Sequence, residues 1–409
     1  MTGFVFQDAR GRGFSRRVSL RDAQAGIDAA CPPLAPRPVP LAGAVGLCLA
    51  APVIAPGDWP PADRAARDGV AIDAADSLGA GSYTPIPLIG AHGLSSGDPL
   101  PPGTNAVLPV EALLRSSGGV EAVEAVPPGA GVERRAAALS AGASALPVGR
   151  VLRPSDLGLL AGLGLRLVTA HPPPRVRILL VGGPRGGEGE ALGLMLAALV
   201  RRDGGVPDVL GPVSTDADGR VVADALRAAC DDGGADLVLT AGRTGVGVDD
   251  VAPLALAAAG RVAWHGVALR PGDSAGLGAV GAVPVLLLPG EPMACWSAYA
   301  LLGARAVRRR AGLGVTDFVG AGLGRAVTAV TARKLVSEIG SVDLHRVRFI
   351  GDGWGDGWGD GRGGDRVEPV ASPVVPGLAA LARADGVVVC PADSEGVPAG
   401  ATVQVHMLV

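Results

Sequence analysis

Aromatic side chains are scarce in this chain, at 3% of residues. Lysine is scarcer still: Lys334 is the only one, and arginine supplies the remaining positive charge. No cysteine pair has the CxxC spacing, and the count of five is odd. Together these features exclude a disulfide frame and a zinc site, and predict reduced thiols in a cytoplasmic protein. The formal net charge is −3, too weak a basic balance for a nucleic-acid binder. Arg10, Arg12, Arg16 and Arg17 crowd the N-terminal region, but no apolar run follows them, which argues against a secretory signal. The most apolar stretch, Pro40 to Pro56, is broken by Gly43, Gly46 and Pro52 and is not a membrane span.

What is present is aliphatic. Hydrophobic residues make up 48% of 409 residues, enough core for roughly two to four domains. With few aromatics, that core must be Ala, Val and Leu. The 64 glycines and 35 prolines point to many turns and strand ends. Residues 18–30 read as one helix with Ser19 as N-cap. Residues 38–56 read as a short helix with a strand, 57–111 as a small β domain, 119–153 as β-like runs with turns, and 154–165 as a helix opened by Pro154. From Arg175 strands and helices alternate, the pattern of an α/β layer with a mainly parallel sheet. Strands are expected there at 261–269 and 283–288, and a closing helix over 294–310. Residues 318–409 are β-rich again, with a helix at the run beginning Gly377. They contain the low-complexity stretch 351–365 (GDGWGDGWGDGRGGD), which reads as a hairpin insert, since it lacks the terminal Glu and ligand spacing of a calcium loop.

The motif richest in chemistry is Thr240-Ala241-Gly242-Arg243-Thr244-Gly245-Val246-Gly247-Val248-Asp249-Asp250, directly after the apolar strand ending in LVLT. A loop at the carboxyl end of a parallel strand is where open α/β sheets take ligands. Glycines there let backbone N–H groups reach phosphate oxygens. The glycine spacing alone fits a structural turn equally well. Two Pro-Gly pairs, Arg270-Pro271-Gly272-Asp273 and Leu288-Pro289-Gly290-Glu291, would end strands beside it. Further upstream stand Asp68-Gly69-Val70-Ala71, the run Ser96 to Glu111 (SGDPLPPGTNAVLPVE) and Arg134-Arg135-Ala136-Ala137-Ala138-Leu139.

Taken in order, these runs resemble the molybdopterin molybdotransferase family. The lead-in to Asp68-Gly69 is similar to its Ser-Ala-Met-Asp-Gly-Tyr-Ala-Val signature. The 96–111 run is similar to its Thr-Gly-Ala-Pro-Leu-Pro-x-Gly-Ala-Asp-Ala-Val-Val-x-x-Glu, and the Gly-rich loop to its Ser-Gly-Gly-Val-Ser-x-Gly-x-x-Asp. Where the family has Gly-Glu-Asp, this chain has Ala136, Ala137 and Ala138. The loop Gly182 to Glu190 matches the family's Gly-Asp-Glu loosely, with Glu190 near the place of its aspartate.

The resemblance implies a multi-domain α/β plus β protein. An N-terminal helical segment (1–34) would pack on a molybdopterin-binding α/β domain (176–312), which is mainly parallel. A linking domain (35–55 and 126–175), an inserted β domain (56–125) and a C-terminal small β barrel (318–409) would complete it. It implies insertion of molybdate into adenylylated molybdopterin with release of AMP, Mg²⁺ as cofactor and a homodimer. Asp68 and Asp250 would be catalytic. Gly242, Arg243, Thr244, Gly247, Arg270, Pro271, Gly272, Pro289 and Gly290 would bind substrate, and Glu190 and Asp250 the metal. Asp273 and Glu291, which stand where the family has a basic and a neutral residue, would repel an anion. Loss of the Glu-Asp pair leaves open a paralogue that carries molybdopterin without converting it, or a scaffold.

Overall fold

The computed structural model describes residues 6–116, 119–182, 188–231, 233–315, 323–350, 366–370 and 377–408. The insert at 351–365 and the core of the loop 183–187 lie outside the described residues. The chain divides into two compact units. One holds Met1–Arg37, Gly46–Cys48 and His171–Val409; the other holds Pro38–Val45 and Leu49–Ala170.

The larger unit is built on a six-stranded sheet. Its order is Val206–Val213, Arg175–Val181, Leu237–Ala241, Val283–Leu288, Gly276–Val280, Arg261–His265. The first four are parallel, and the last two add an antiparallel edge. The near-continuous aliphatic strands follow from burial on both faces. Ile178, Leu180, Leu237, Leu239, Leu286 and Leu288 face the helices Leu20–Ala30, Glu188–Arg202 and the run 292–310. Leu179, Val181, Val238, Val285 and Leu287 face Arg220–Asp231 and Ala252–Ala259. Each large aliphatic side chain so buried contributes roughly 1.5–3 kcal/mol. Ser19 caps the first helix, accepting from the Asp22 amide at 3.1 Å. That helix buries Leu20, Ala23, Gln24 and Ile27 along one face and is tied down by Arg305, whose fork grips Asp28 at 2.7 Å.

Two local features of this unit differ from the sequence expectation. The strand Gly276–Val280 was not expected, because its glycines and alanine carry little β signal. The expected closing helix runs through a π turn at Tyr299–Gly303. There the Tyr299 ring lies where a side chain on residue 303 would be, 2.6 Å from that missing Cβ, and only glycine permits it. The Tyr299 hydroxyl donates to the buried Asp203 at 3.1 Å.

The C-terminal strands Val342–Ile350, Arg366–Pro369, Ala326–Thr331, Thr402–Met407 and Gly386–Cys390 pair in that order. The last pairs back to the first, closing a five-stranded barrel. Its interior holds Ala329, Val347, Val367, Val388 and Val405.

In the smaller unit, Gly69–Ile72 lies between His92–Leu94 and Ala106–Pro109 in one antiparallel sheet. Gly119–Ala122 lies between Ile86–Pro87 and Leu113–Ser116 in another. The helix expected within 38–56 is a single 3₁₀ turn, Leu41–Gly43, whereas Pro154 does open the helix Pro154–Gly162. All five cysteines are buried, and none is in a disulfide. Burial pushes the Cys31 thiol up to about 11 and raises those of Cys48, Cys295 and Cys390. No helix of the described residues is long and apolar enough to cross a membrane.

Candidate functional site

The strand Leu237–Ala241 ends on the Gly-rich loop at the carboxyl edge of the parallel sheet. Gly242 has a φ of +107°, and a Cβ there would sit 2.4 Å from the Val181 carbonyl oxygen. Its amide donates to the Leu288 carbonyl at 3.0 Å. Arg243 follows with a φ of +57°, the left-handed region that favours glycine. Its side chain lies over Gly182, where a Cβ would be 2.7 Å from the Arg243 Nε, and its guanidinium is 4.0 Å from Asp249.

The loop closes on a carboxylate. Asp250 accepts from the Gly247 amide at 2.8 Å. A side chain on Gly245 or Gly247 would stand 2.7 or 3.1 Å from that same carboxylate oxygen. These two glycines are thus needed for the carboxylate to seat. Thr244 is buried beneath: its hydroxyl is 3.0 Å from that of Ser274. Its carbonyl lies 2.8 Å from His265 Nε2. Burial lowers the His265 pKa, although the Thr244 bond opposes the shift. The ring is therefore neutral near pH 7 and donates through Nε2.

Both Pro-Gly turns stand beside this loop. A Cβ on Gly290 would be 3.0 Å from the Gly242 Cα. Gly272 has a φ of +129° and would place a Cβ 3.3 Å from the Ala294 carbonyl, at the start of the helix that follows Gly290. Pro271 and Pro289 precede these glycines. Arg270 is bound on its barrel side, by Glu338 and by the buried Asp343 at 3.4 Å.

The two acids expected to repel an anion are both engaged. Glu291 caps the helix Pro292–Ala298, accepting from the Ala294 amide at 2.6 Å. Asp273 pairs with Arg17 at 2.8 Å.

Glu190 is exposed on the first turn of its helix. Among the described residues no group of three His, Cys, Asp or Glu side chains could hold a metal ion. Asp250 already serves the loop backbone. The described residues therefore do not build a Mg²⁺ cage, which would need near-octahedral oxygen donors.

Asp68 lies in the smaller unit, on the turn before the strand Gly69–Ile72, and accepts from the Ser96 amide at 2.7 Å. In the same unit Ala136 has a φ of +61°, in the left-handed region that favours glycine. Ala137 and Ala138 follow, exposed, on a turn whose amides at 138 and 139 donate to the Trp59 carbonyl at 3.1 Å. Beneath that turn Asp58 accepts from the Ala141 amide and from Arg135, and both hold its carboxyl below the ordinary range.

Sequence reasoning passed over His265 and the N-terminal segment. A lone histidine in an apolar strand carries no motif, and the arginines at 10–17 have the composition of a leader's basic region. The nearness of Phe14 to those arginines was the available signal.

A doubly covered parallel sheet with a glycine-rich loop at its carboxyl edge, joined to a small β barrel, defines a multi-domain α/β protein. Comparison with known proteins narrows this. Residues 18–164 match the "MoeA N-terminal region (domain I and II)", 187–309 the "Probable molybdopterin binding domain", and 328–408 the "MoeA C-terminal region (domain IV)". Molybdopterin molybdenumtransferase 2 of Mycobacterium tuberculosis is 33% identical over 300 residues, covering 64% of this chain and 72% of the relative. Molybdopterin molybdenumtransferase 1 of the same organism is 28% identical over 323 residues, covering 67% and 74%. The molybdopterin biosynthesis moeA protein of Pyrococcus horikoshii shares the fold, with a TM-score of 0.71 at 23% identity over 96% of this chain and 100% of that one. The chain belongs to the molybdopterin molybdenumtransferase (MoeA) family.

Proposed function

We propose that this protein inserts molybdate into adenylylated molybdopterin and releases AMP, in molybdenum cofactor biosynthesis. The observation that carries the reading is the Gly242–Asp250 loop, flanked by the 270–272 and 289–290 turns at the carboxyl edge of the sheet. A phosphate ester and an oxoanion in one pocket repel each other strongly, and preorganised donors that need no reorientation offset this. In this reading the backbone at Gly242, Arg243 and Gly247 lets phosphate oxygens approach closely and Arg243 adds charge, while the Gly242 and Gly247 amides hold the loop's shape through Leu288 and Asp250. Thr244 supports the loop from below, and Pro271, Gly272, Pro289 and Gly290 wall the pterin. Arg270 stands beside that wall, its charge offset by Glu338 and Asp343.

Asp250 and Asp68 are the proposed catalytic carboxylates. Glu190 and Asp250 are the proposed carboxylates toward Mg²⁺. Because they do not form a cage, these two carboxylates would hold the ion only together with the substrate phosphates, whose charge it would offset. The five-part division into 1–34, 35–55 with 126–175, 56–125, 176–312 and 318–409 belongs to the same proposal. So does a homodimer, which sedimentation equilibrium at micromolar concentration tests. A single 40.4 kDa species would reject it.

The deciding experiment is reconstitution from adenylylated molybdopterin and molybdate. Molybdate-dependent AMP release with active cofactor is expected. Pterin bound without AMP release would instead make the chain a carrier. Changing Ala137 to Glu together with Ala138 to Asp should raise turnover more than affinity, as for a contact made in the transition state.

A further inference from the structure

The N-terminal segment 8–17 lies outside the matched family regions, which begin at residue 18. It nevertheless runs along the Gly-rich loop. The Gly11 amide donates to the Val246 carbonyl at 2.8 Å. Arg10 reaches the carbonyls of Val248, at 3.3 Å, and of Ala217, at 3.1 Å, with one nitrogen. Its other nitrogens grip Asp8 at 2.8–3.1 Å, fixing the guanidinium in that direction. The Phe14 ring sits edge-on to His265, with centroids 5.0 Å apart. It lies against Gly266, where a Cβ would be 2.7 Å from the ring. Arg17 stacks over Phe14 at 5.3 Å and pairs with Asp273 of the first Pro-Gly turn.

Val246, Gly247, Val248 and Asp249 are all exposed, so burial does little to order the tip of the loop. An exposed, glycine-rich tip samples many backbone states, and an anion then binds only the fraction in which the amides converge. The carbonyls of Val246 and Val248, one on each side of Gly247, are the atoms the segment holds. Fixing them fixes the Val246–Gly247 peptide plane, whose N–H seats the Asp250 carboxylate, and the Val248–Asp249 plane beside it.

We infer that residues 8–17 form a strap that holds the Gly-rich loop in its anion-binding shape, with Arg10 as the positioning residue. The inference rests on the proposed function for its consequence but not for its geometry. A positioning residue of this kind sets the binding-competent population without touching substrate.

The test uses the full chain with Arg10→Ala and Arg10→Lys. Amide hydrogen exchange is followed over 244–250 and, as reference, over the strands 237–241 and 283–288. With Arg10→Ala the loop amides should exchange about tenfold faster while the strands do not change. The KM for adenylylated molybdopterin should rise about tenfold with kcat within about twofold. Arg10→Lys, which keeps a donor but loses the two-pronged grip on Asp8, should fall between. Unchanged loop exchange, a uniform rise across the strands, or faster loop exchange with unchanged KM would each overturn the inference. If the wild-type chain releases no AMP, the functional reading fails, and the exchange arm alone decides whether the strap exists.

Discussion

Replacing Gly242 by alanine separates two costs that usually come together. The first is conformational. A φ of +107° lies beyond the left-handed well that L-residues tolerate, at roughly 1–3 kcal/mol. The second is steric. The new Cβ would stand 2.4 Å from the Val181 carbonyl oxygen, against an ordinary carbon–oxygen separation of about 3.3 Å. That oxygen belongs to a strand paired in register with Leu237–Ala241, so it cannot swing aside as a side chain end would. Forcing such a contact into a packed region costs a further 1–3 kcal/mol, roughly. Gly340 isolates the first cost: its φ is +102° and nothing lies within 4 Å of its missing Cβ. Gly242→Ala should therefore destabilise by about 2–6 kcal/mol and Gly340→Ala by about 1–3. Urea unfolding followed by tryptophan fluorescence reads both, since Trp264 and Trp296 are buried in the α/β core. Equal losses for the two variants would refute the steric half of the reasoning and with it the packing of Gly242 against Val181.

Ala136→Gly should stabilise the chain by about 0.5–1 kcal/mol, because a left-handed alanine costs more than glycine's extra freedom; its melting temperature checks this. Asp250→Asn keeps an oxygen for the Gly247 amide but removes the charge. The fold should persist while AMP release falls roughly tenfold or more, and a variant as active as wild type would remove Asp250 from the catalytic reading. The pKa of His265 is lowered by burial, so below about 6.5 the unfolded chain takes up a proton that the folded one resists. Stability should be full above that pH and decline as pH falls toward the folded value. In His265→Gln, which can still donate to Thr244, that part of the slope should vanish from melting curves run at successive pH values.

Much of this architecture was legible because period and punctuation agree. Aliphatic runs ending in glycine, followed by helices with one apolar stripe, gave the parallel sheet, and Ser19 and Pro154 marked true helix starts. The antiparallel strand Gly276–Val280 escaped because sheet pairing, not side-chain preference, makes it a strand. At the loop, glycine positions could be read, but the direction of side chains could not. That Thr244 turns inward and that Arg270 is held by Glu338 and Asp343 depends on residues far away in sequence. The acids at 273 and 291 taught the same lesson in reverse. Charge can be read from the sequence, but that Asp273 pairs with an arginine and Glu291 caps a helix cannot.

The deep placement of all five cysteines bears on the dithiolene chemistry proposed for this protein. Only the ionised sulfur is a competent metal ligand or nucleophile. With Cys31 pushed up to about 11, and Cys48, Cys295 and Cys390 also raised, these thiols stay protonated at neutral pH. Such a scaffold offers a thiophilic metal almost no rival anchor among its own side chains, and it leaves a pterin's paired sulfurs without a partner for mixed-disulfide formation. Inertness of the host is then itself a form of selectivity.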